Sequence, residues 1–137
     1  MRILVTNDDG IDGEGMHALA RRARHIGHEV IIVAPNFDAS GTGASLGPLS
    51  RKDDIVYEAH QIPDFDGEAY SINGPPALCV IVSHLEAFGS VPDLVLSGIN
   101  PGLNTGRSTL HSGTVGAVLT AQNFGTKGVA VSLHSED

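Results

Sequence analysis

Arg2-Ile3-Leu4-Val5-Thr6 opens the chain, runs into Asn7-Asp8-Asp9-Gly10, and is answered further on by Val30-Ile31-Ile32-Val33-Ala34 before Pro35. Short unbroken apolar runs of this kind are the pattern of strands buried on both faces. Between them, residues 13–26 read as a helix with Met16, Leu19, Ala23 and Ile26 on one face. The end signals agree with a helix. Asp12 can cap its start and Glu14 sits in its first turn; Arg21, Arg22 and Arg24 suit its C-terminal end, and Gly27 is placed to close it. Strand, helix and strand form a βαβ unit, whose strands are parallel and whose crossover is right-handed.

The rest of the chain extends that unit. Residues 36–50, centred on Ser40-Gly41-Thr42-Gly43-Ala44-Ser45, carry no helical or strand period and read as a loop with room for function. Residues 55–59 and 69–72 read as two strands of a hairpin-like excursion. Pro75 and Pro76 then open a helix that runs to Phe88, apolar through Leu78, Val80, Ile81, Val82 and Leu85, and Gly89 stops it. Residues 93–96 form a third parallel-type strand, 112–124 a Gly- and Ala-rich helix, and 128–133 a fourth such strand. The alternation predicts an α/β sandwich in a single domain over residues 1–137. The last strand ends four residues before Asp137 with no closing helix, which leaves part of the sheet uncovered and suggests a truncated form.

Composition narrows the function. The 137 residues carry 8 Lys and Arg against 16 Asp and Glu, a net charge of −8, too few cations for a phosphate-tracking nucleic-acid groove. With 41% hydrophobic residues and 18% charged, the chain can bury a core. No apolar run reaches the length needed to span a bilayer, and the first residues turn polar too soon for a signal peptide, so a cytoplasmic protein is expected. The lone Cys79 fits a reducing compartment and a packing role.

In open parallel sheets ligands bind beyond the carboxyl ends of the strands. Asn7, Asp8, Asp9 and Gly10 follow the first strand, Ser40 and the Gly-rich loop the second, and Ser97, Gly98, Ile99, Asn100 and Asn104 the third. Two adjacent carboxylates repel unless a cation or solvent separates them, and hydroxyl and amide oxygens are further hard ligands, so the set suits Mg²⁺ or Mn²⁺. Alone, Asp8 and Asp9 could equally cap a turn. Ser112-Gly113-Thr114 opens a helix, where exposed N–H groups and the helix dipole favour phosphate, although an ordinary Ser cap reads the same way. Gly13-Glu14-Gly15-Met16-His17-Ala18 imitates a dinucleotide fingerprint, with Asp38 near the end of the second strand. The acidic crowd of Asp8, Asp9, Asp12 and Glu14 argues against a pyrophosphate there. Among seven His residues only His111, just before the phosphate-seat motif, stands out as a donor or proton shuttle.

Taken together and in order, Val5-Thr6-Asn7-Asp8-Asp9-Gly10, Ala34-Pro35 leading to Ser40-Gly41, Ser97-Gly98-Ile99-Asn100 and Ser112-Gly113-Thr114-Val115 resemble the SurE family of survival proteins, metal-dependent 5′/3′-nucleotidases. The resemblance implies a three-layer α/β/α sandwich with a Rossmann-like, mostly parallel sheet. It implies Asp8, Asp9, Ser40 and Asn100 as ligands of one divalent cation, Mg²⁺ or Mn²⁺. It implies Ser40, Gly41, Asn100, Asn104, Ser112, Gly113 and Thr114 as the substrate- and phosphate-binding set, with Asp8 and Asp9 catalytic and Asp9 the carboxylate assigned to activate water. The substrates implied are nucleoside 5′- and 3′-monophosphates, and a homodimer or higher homo-oligomer is expected.

Two departures stand beside the resemblance. The family's Ser-Leu-Thr segment reads Ser45-Leu46-Gly47 here, one hydroxyl fewer. Nothing replaces the family's C-terminal region, which supports dimer exchange and helps cover the site. The expected activity is therefore a metal-dependent phosphomonoesterase, with a truncated, non-catalytic metal- or phosphate-binding fragment as the alternative. A sugar-nucleotide-binding half of a glycosyltransferase has only the α/β pattern in its favour.

Overall fold

The computed structural model describes residues 1–47 and 55–134. Residues 48–50 of the expected loop lie outside the described residues. In chain order the elements are β1 (Arg2–Thr6), α1 (Glu14–His25), β2 (Glu29–Pro35), β3 (Tyr57–His60), β4 (Glu68–Ile72), α2 (Pro76–His84), β5 (Leu94–Pro101), a short 3-10 helix (Gly106–His111), α3 (Gly113–Asn123) and β6 (Lys127–Leu133). The strands form one sheet ordered β3-β4-β2-β1-β5-β6, parallel except where β3 pairs antiparallel with β4. β1 lies between β2 and β5, with Ile3 opposite both Val30 and Leu94.

Alternate residues of the central strands feed two cores. Ile3, Val5, Val30, Ile32 and Ala34 pack against Met16, Ala20 and Ala23 of α1 on one face. Leu4, Ile31, Val33 and Val95 pack on the other face against Leu78, Cys79, Val80 and Val82 of α2 and Ala117 and Ala121 of α3. The result is an α/β/α sandwich in the Rossmann-like manner. Continuous burial explains why β1 and β2 read as apolar runs. Cys79 is fully buried within the second core, which pushes its thiol pKa up to about 12.

Several boundaries differ from the sequence reading. Asp12 does not cap α1: Gly13 holds the cap position and no side chain bonds there. The buried face of α1 includes His17, whereas Ile26 is 58% exposed beyond the helix end. α2 stops at His84 instead of Phe88, because Glu86 turns left-handed (φ 63°) and Phe88 leaves the helix to stack on Tyr70, ring centres 4.4 Å apart. Ser97 through Asn100 do not follow the third parallel strand but lie inside it, since β5 runs on to Pro101. Its pairing with β6 shifts between Ser97 and Asn100, where Gly98 leaves no space for a side chain: a Cβ would lie 2.3 Å from the Val131 carbonyl oxygen.

Candidate active site

The carboxyl ends of β1 and β2 are joined by backbone bonds. The amide of Ile11 donates to the Pro35 carbonyl (2.8 Å) and that of Ala39 to the Asp8 carbonyl (2.7 Å). The Gly-rich loop is held in turn by Gly43, whose amide donates to the His111 carbonyl at 2.9 Å. It lies directly on α3, where a Cβ on Gly116 would meet the Gly43 oxygen at 2.1 Å. At the start of α3 a Cβ on Gly113 would meet the Asp8 Cβ at 2.8 Å and its Oδ2 at 3.2 Å. Asp8 and the N-terminus of α3 are thus in contact. On the α1 side, a Cβ on Gly15 would meet the Ile99 oxygen at 2.5 Å.

Asp8 is buried at 4% exposure, and its Oδ1 has no hydrogen-bond partner among the described residues. Burial raises its pKa; the hydroxyl and amide of Thr114 face the carboxylate and offset part of the rise, although the Thr114 hydroxyl completes no hydrogen bond of normal geometry. Asp9 is half-buried. Burial first, then the charges of Asp8 and Asp38, lift its pKa to about 6. An orphaned buried carboxylate oxygen beside a second carboxylate whose ionisation is resisted is the donor chemistry a hard divalent cation relieves. Among the described residues no three His, Cys, Asp or Glu side chains gather as a metal cage. A cation here would therefore draw on two carboxylates and neutral oxygens.

Ser40 is exposed, and its hydroxyl and amide both bond to Asp38 Oδ1, at 2.5 and 3.0 Å, which holds the Asp38 carboxyl below the usual range. Asp38, read from sequence only as part of a dinucleotide imitation, is thereby a third acidic group bearing on Asp8 and Asp9. Its signal was the Asp-x-Ser spacing, a common side-chain-to-backbone turn. Gly41 follows with φ 83° and open space around it. Asn100 and Asp9 together line a hollow of about 550 Å³ with Gly13, Glu14, Ile99 and Leu133. The Asn100 amide donates to the Gly102 carbonyl (2.8 Å) and that of Asn104 to Ser132 Oγ on β6 (2.7 Å).

Ser112 caps α3 as an ordinary Ser does, its Oγ accepting from the Val115 amide at 3.1 Å. That bond uses a lone pair and leaves the hydroxyl hydrogen to donate elsewhere. The amides of Gly113 and Thr114 lie in the first turn, where no helical carbonyl precedes them. His111 is exposed at the end of the 3-10 helix, with its carbonyl engaged by Gly43. The two glycines of the dinucleotide imitation, Gly13 and Gly15, are accounted for by packing against Asn7 and Ile99.

The family model for "Survival protein SurE" matches residues 3–137. The chain belongs to the SurE family. Among its relatives, the "5'-nucleotidase SurE" of Rhodopirellula baltica is 46% identical over 140 residues, covering all of this chain and 53% of that protein. The "5'-nucleotidase SurE" of Xanthomonas axonopodis pv. citri is 41% identical over 136 residues, covering 97% of this chain and 48% of that protein. The solved SurE protein from Aquifex aeolicus superposes with a TM-score of 0.80 at 33% identity, covering all of this chain and 52% of that one. The chain spans about half the length of the SurE relatives it matches.

Proposed function

We propose that this chain carries the catalytic half of a metal-dependent phosphomonoesterase acting on nucleoside 5′- and 3′-monophosphates. The observation that carries the reading is the contact between Asp8, whose Oδ1 has no hydrogen-bond partner among the described residues, and the first turn of α3. It places a cation-seeking group beside an anion-seeking one, which is what a phosphate ester neutralised by a metal requires. Family membership and the names of the relatives support the same substrate class.

In this reading Asp8, Asp9, Ser40 and Asn100 hold one Mg²⁺ or Mn²⁺. When bound, such a cation would supply Lewis-acid polarisation of a phosphoryl oxygen and would lower the pKa of water. The Gly113 amide and the Ser112 hydroxyl receive the phosphoryl oxygens and favour the charge that builds there, while Thr114 faces Asp8 and fixes it against the same helix start. Gly41 gives the substrate close approach to backbone, and Asn104 orients a phosphate oxygen. Asp9, less buried than Asp8, takes the proton of the attacking water at a carboxylate oxygen. The hollow beside Asp9 and Asn100 has room for the organic part of the ester. Among the described residues no helix is long and apolar enough to cross a membrane.

The test is phosphate release from a nucleoside-monophosphate panel with and without Mn²⁺ or Mg²⁺. Release that requires the metal and is abolished in Asp8→Asn is expected; an Asp8→Asn variant as active as the parent would defeat the assignment. Because the chain spans half of its relatives, a second reading is a fragment that binds metal or phosphate without turnover. Metal binding with no release distinguishes it.

A further inference from the structure

We propose that Asn7 is a positioning residue for the two carboxylates, acting through the shape of the loop and touching neither metal nor substrate, an inference that rests on the metal-site reading above. Asn7 sits between the last residue of β1 and Asp8, yet its side chain turns inward and is 1% exposed. Both ends of its carboxamide close on one residue. Nδ2 donates to the Gly10 carbonyl at 2.9 Å, and Oδ1 accepts from the Gly10 amide at 3.1 Å. Asp8 and Asp9 are the two residues bracketed by that pair of bonds.

The bracket is braced on every side. Gly10 has φ 109°, a conformation L side chains rarely adopt. The next amide, Ile11, bonds to Pro35, and the Ile11 carbonyl accepts from His17 Nε2 of α1 at 2.6 Å. Gly13 donates to the same Gly10 carbonyl at 3.0 Å and packs so closely that a Cβ there would sit 2.5 Å from Asn7 Nδ2. The carboxamide is therefore wedged, with no slack for another orientation.

The residue type follows from the task. Gly10 is buried; its carbonyl keeps the Gly13 amide in any case, but its own amide bonds to Asn7 Oδ1, and an aliphatic side chain at position 7 would strand that donor. An aspartate would satisfy the amide, turn a second acceptor towards the carbonyl, and add a further negative charge next to Asp8 and Asp9. An uncharged group with one donor and one acceptor at this reach is asparagine. By fixing the loop in advance, Asn7 holds Asp8 and Asp9 together against their mutual repulsion, as outer partners of metal ligands do.

Two substitutions remove the bracket from opposite sides: Asn7→Ala deletes it, and Gly13→Ala displaces it while leaving Asn7 in place. Gly13 has φ −63° and ψ 116°, which alanine adopts freely, so the second variant tests the bracket even if the first fails to fold. Mn²⁺ affinity is read from the electron paramagnetic resonance signal of the unbound ion, and thermal unfolding is followed in EDTA, with Asp8→Asn as control. Each single variant is expected to weaken Mn²⁺ binding by about 10- to 100-fold, and the double variant to be no weaker than the poorer single one, since both act on one group. Parent-like affinity in folded Gly13→Ala, or a lowered unfolding temperature with unchanged affinity in either variant, would overturn the proposal. If Asp8→Asn also keeps parent affinity, the metal-site reading is what has failed, and Asn7 loses its role with it.

Discussion

Asp9 shows what burial beside other carboxylates costs a single residue. Its pKa is lifted to about 6 by burial and by Asp8 and Asp38, so folding favours its protonated form. That contribution is complete below the ordinary carboxylate pKa near 3.8 and is lost as pH rises through about 6. Metal-free protein is expected to lose stability over that window. Asp9→Asn removes the ionisation, and should be more stable than the parent at pH 7.5 in EDTA by about 1 kcal/mol after allowing for solvent screening, with the advantage vanishing near pH 4. Parallel urea titrations at the two pH values measure it. Individual residues were unevenly legible in sequence: Asp8 and Asp9 alone could equally cap a turn, and only their place at a strand end beside other oxygen-bearing loops singled them out. Asn7 was grouped with them as an oxygen donor, since nothing local tells an inward amide from an outward one. The same blindness placed the cap of α1 on Asp12, when an amide six residues before Gly13 organises that entry instead.

At the scale of elements, α3 carries a rule inverted by its surroundings. Replacing a mid-helix glycine by alanine ordinarily stabilises by about 0.5–1 kcal/mol. At Gly116 the added methyl would land on Gly43 and Ala44 backbone, which cannot swing aside as a side chain can. Gly116→Ala is therefore expected to destabilise by about 1–3 kcal/mol and to push the loop bearing Ser40 off α3, with urea unfolding reading the first effect and phosphate release the second. The strands and helices were legible where burial is continuous, as in β1, β2 and the body of α2. They were misjudged where an apolar residue leaves its element for another partner, as Phe88 does for Tyr70, or where Gly98 interrupts a pattern that the β5 ladder carries through. The 3-10 helix at Gly106–His111 has no period to read and no buried side chain.

Across the whole molecule, the two edges of the sheet differ. β3 is short and antiparallel, whereas β6 is a seven-residue strand with Val129 and Leu133 exposed at 48% and 62% beside exposed Leu119 and Phe124. An exposed, apolar parallel edge invites pairing with another chain. Concentration-dependent self-association is expected, and Val129→Lys should reduce it without loss of the fold; light scattering across a dilution series decides, and an unaffected monomer in both proteins would show the edge to be inert. The architecture itself was legible from the strand and helix alternation. The exposed residues along β6 are known only from the packing.

The contact between Asp8 and Gly113 also orders events in time. β1 pairs with β5 across some ninety residues, and Asp8 meets its helix only after more than a hundred residues have left the ribosome. Contacts so distant along the chain are slow to form. A nascent chain halted before Ser112 already carries Asp8, Asp9, Ser40 and Asn100 but lacks the helix start against which Asp8 packs, so that contact forms only once α3 has emerged. On the proposed metal-site reading, an ion would meet a site that the fold has already assembled, unlike small zinc modules in which the ion makes the fold.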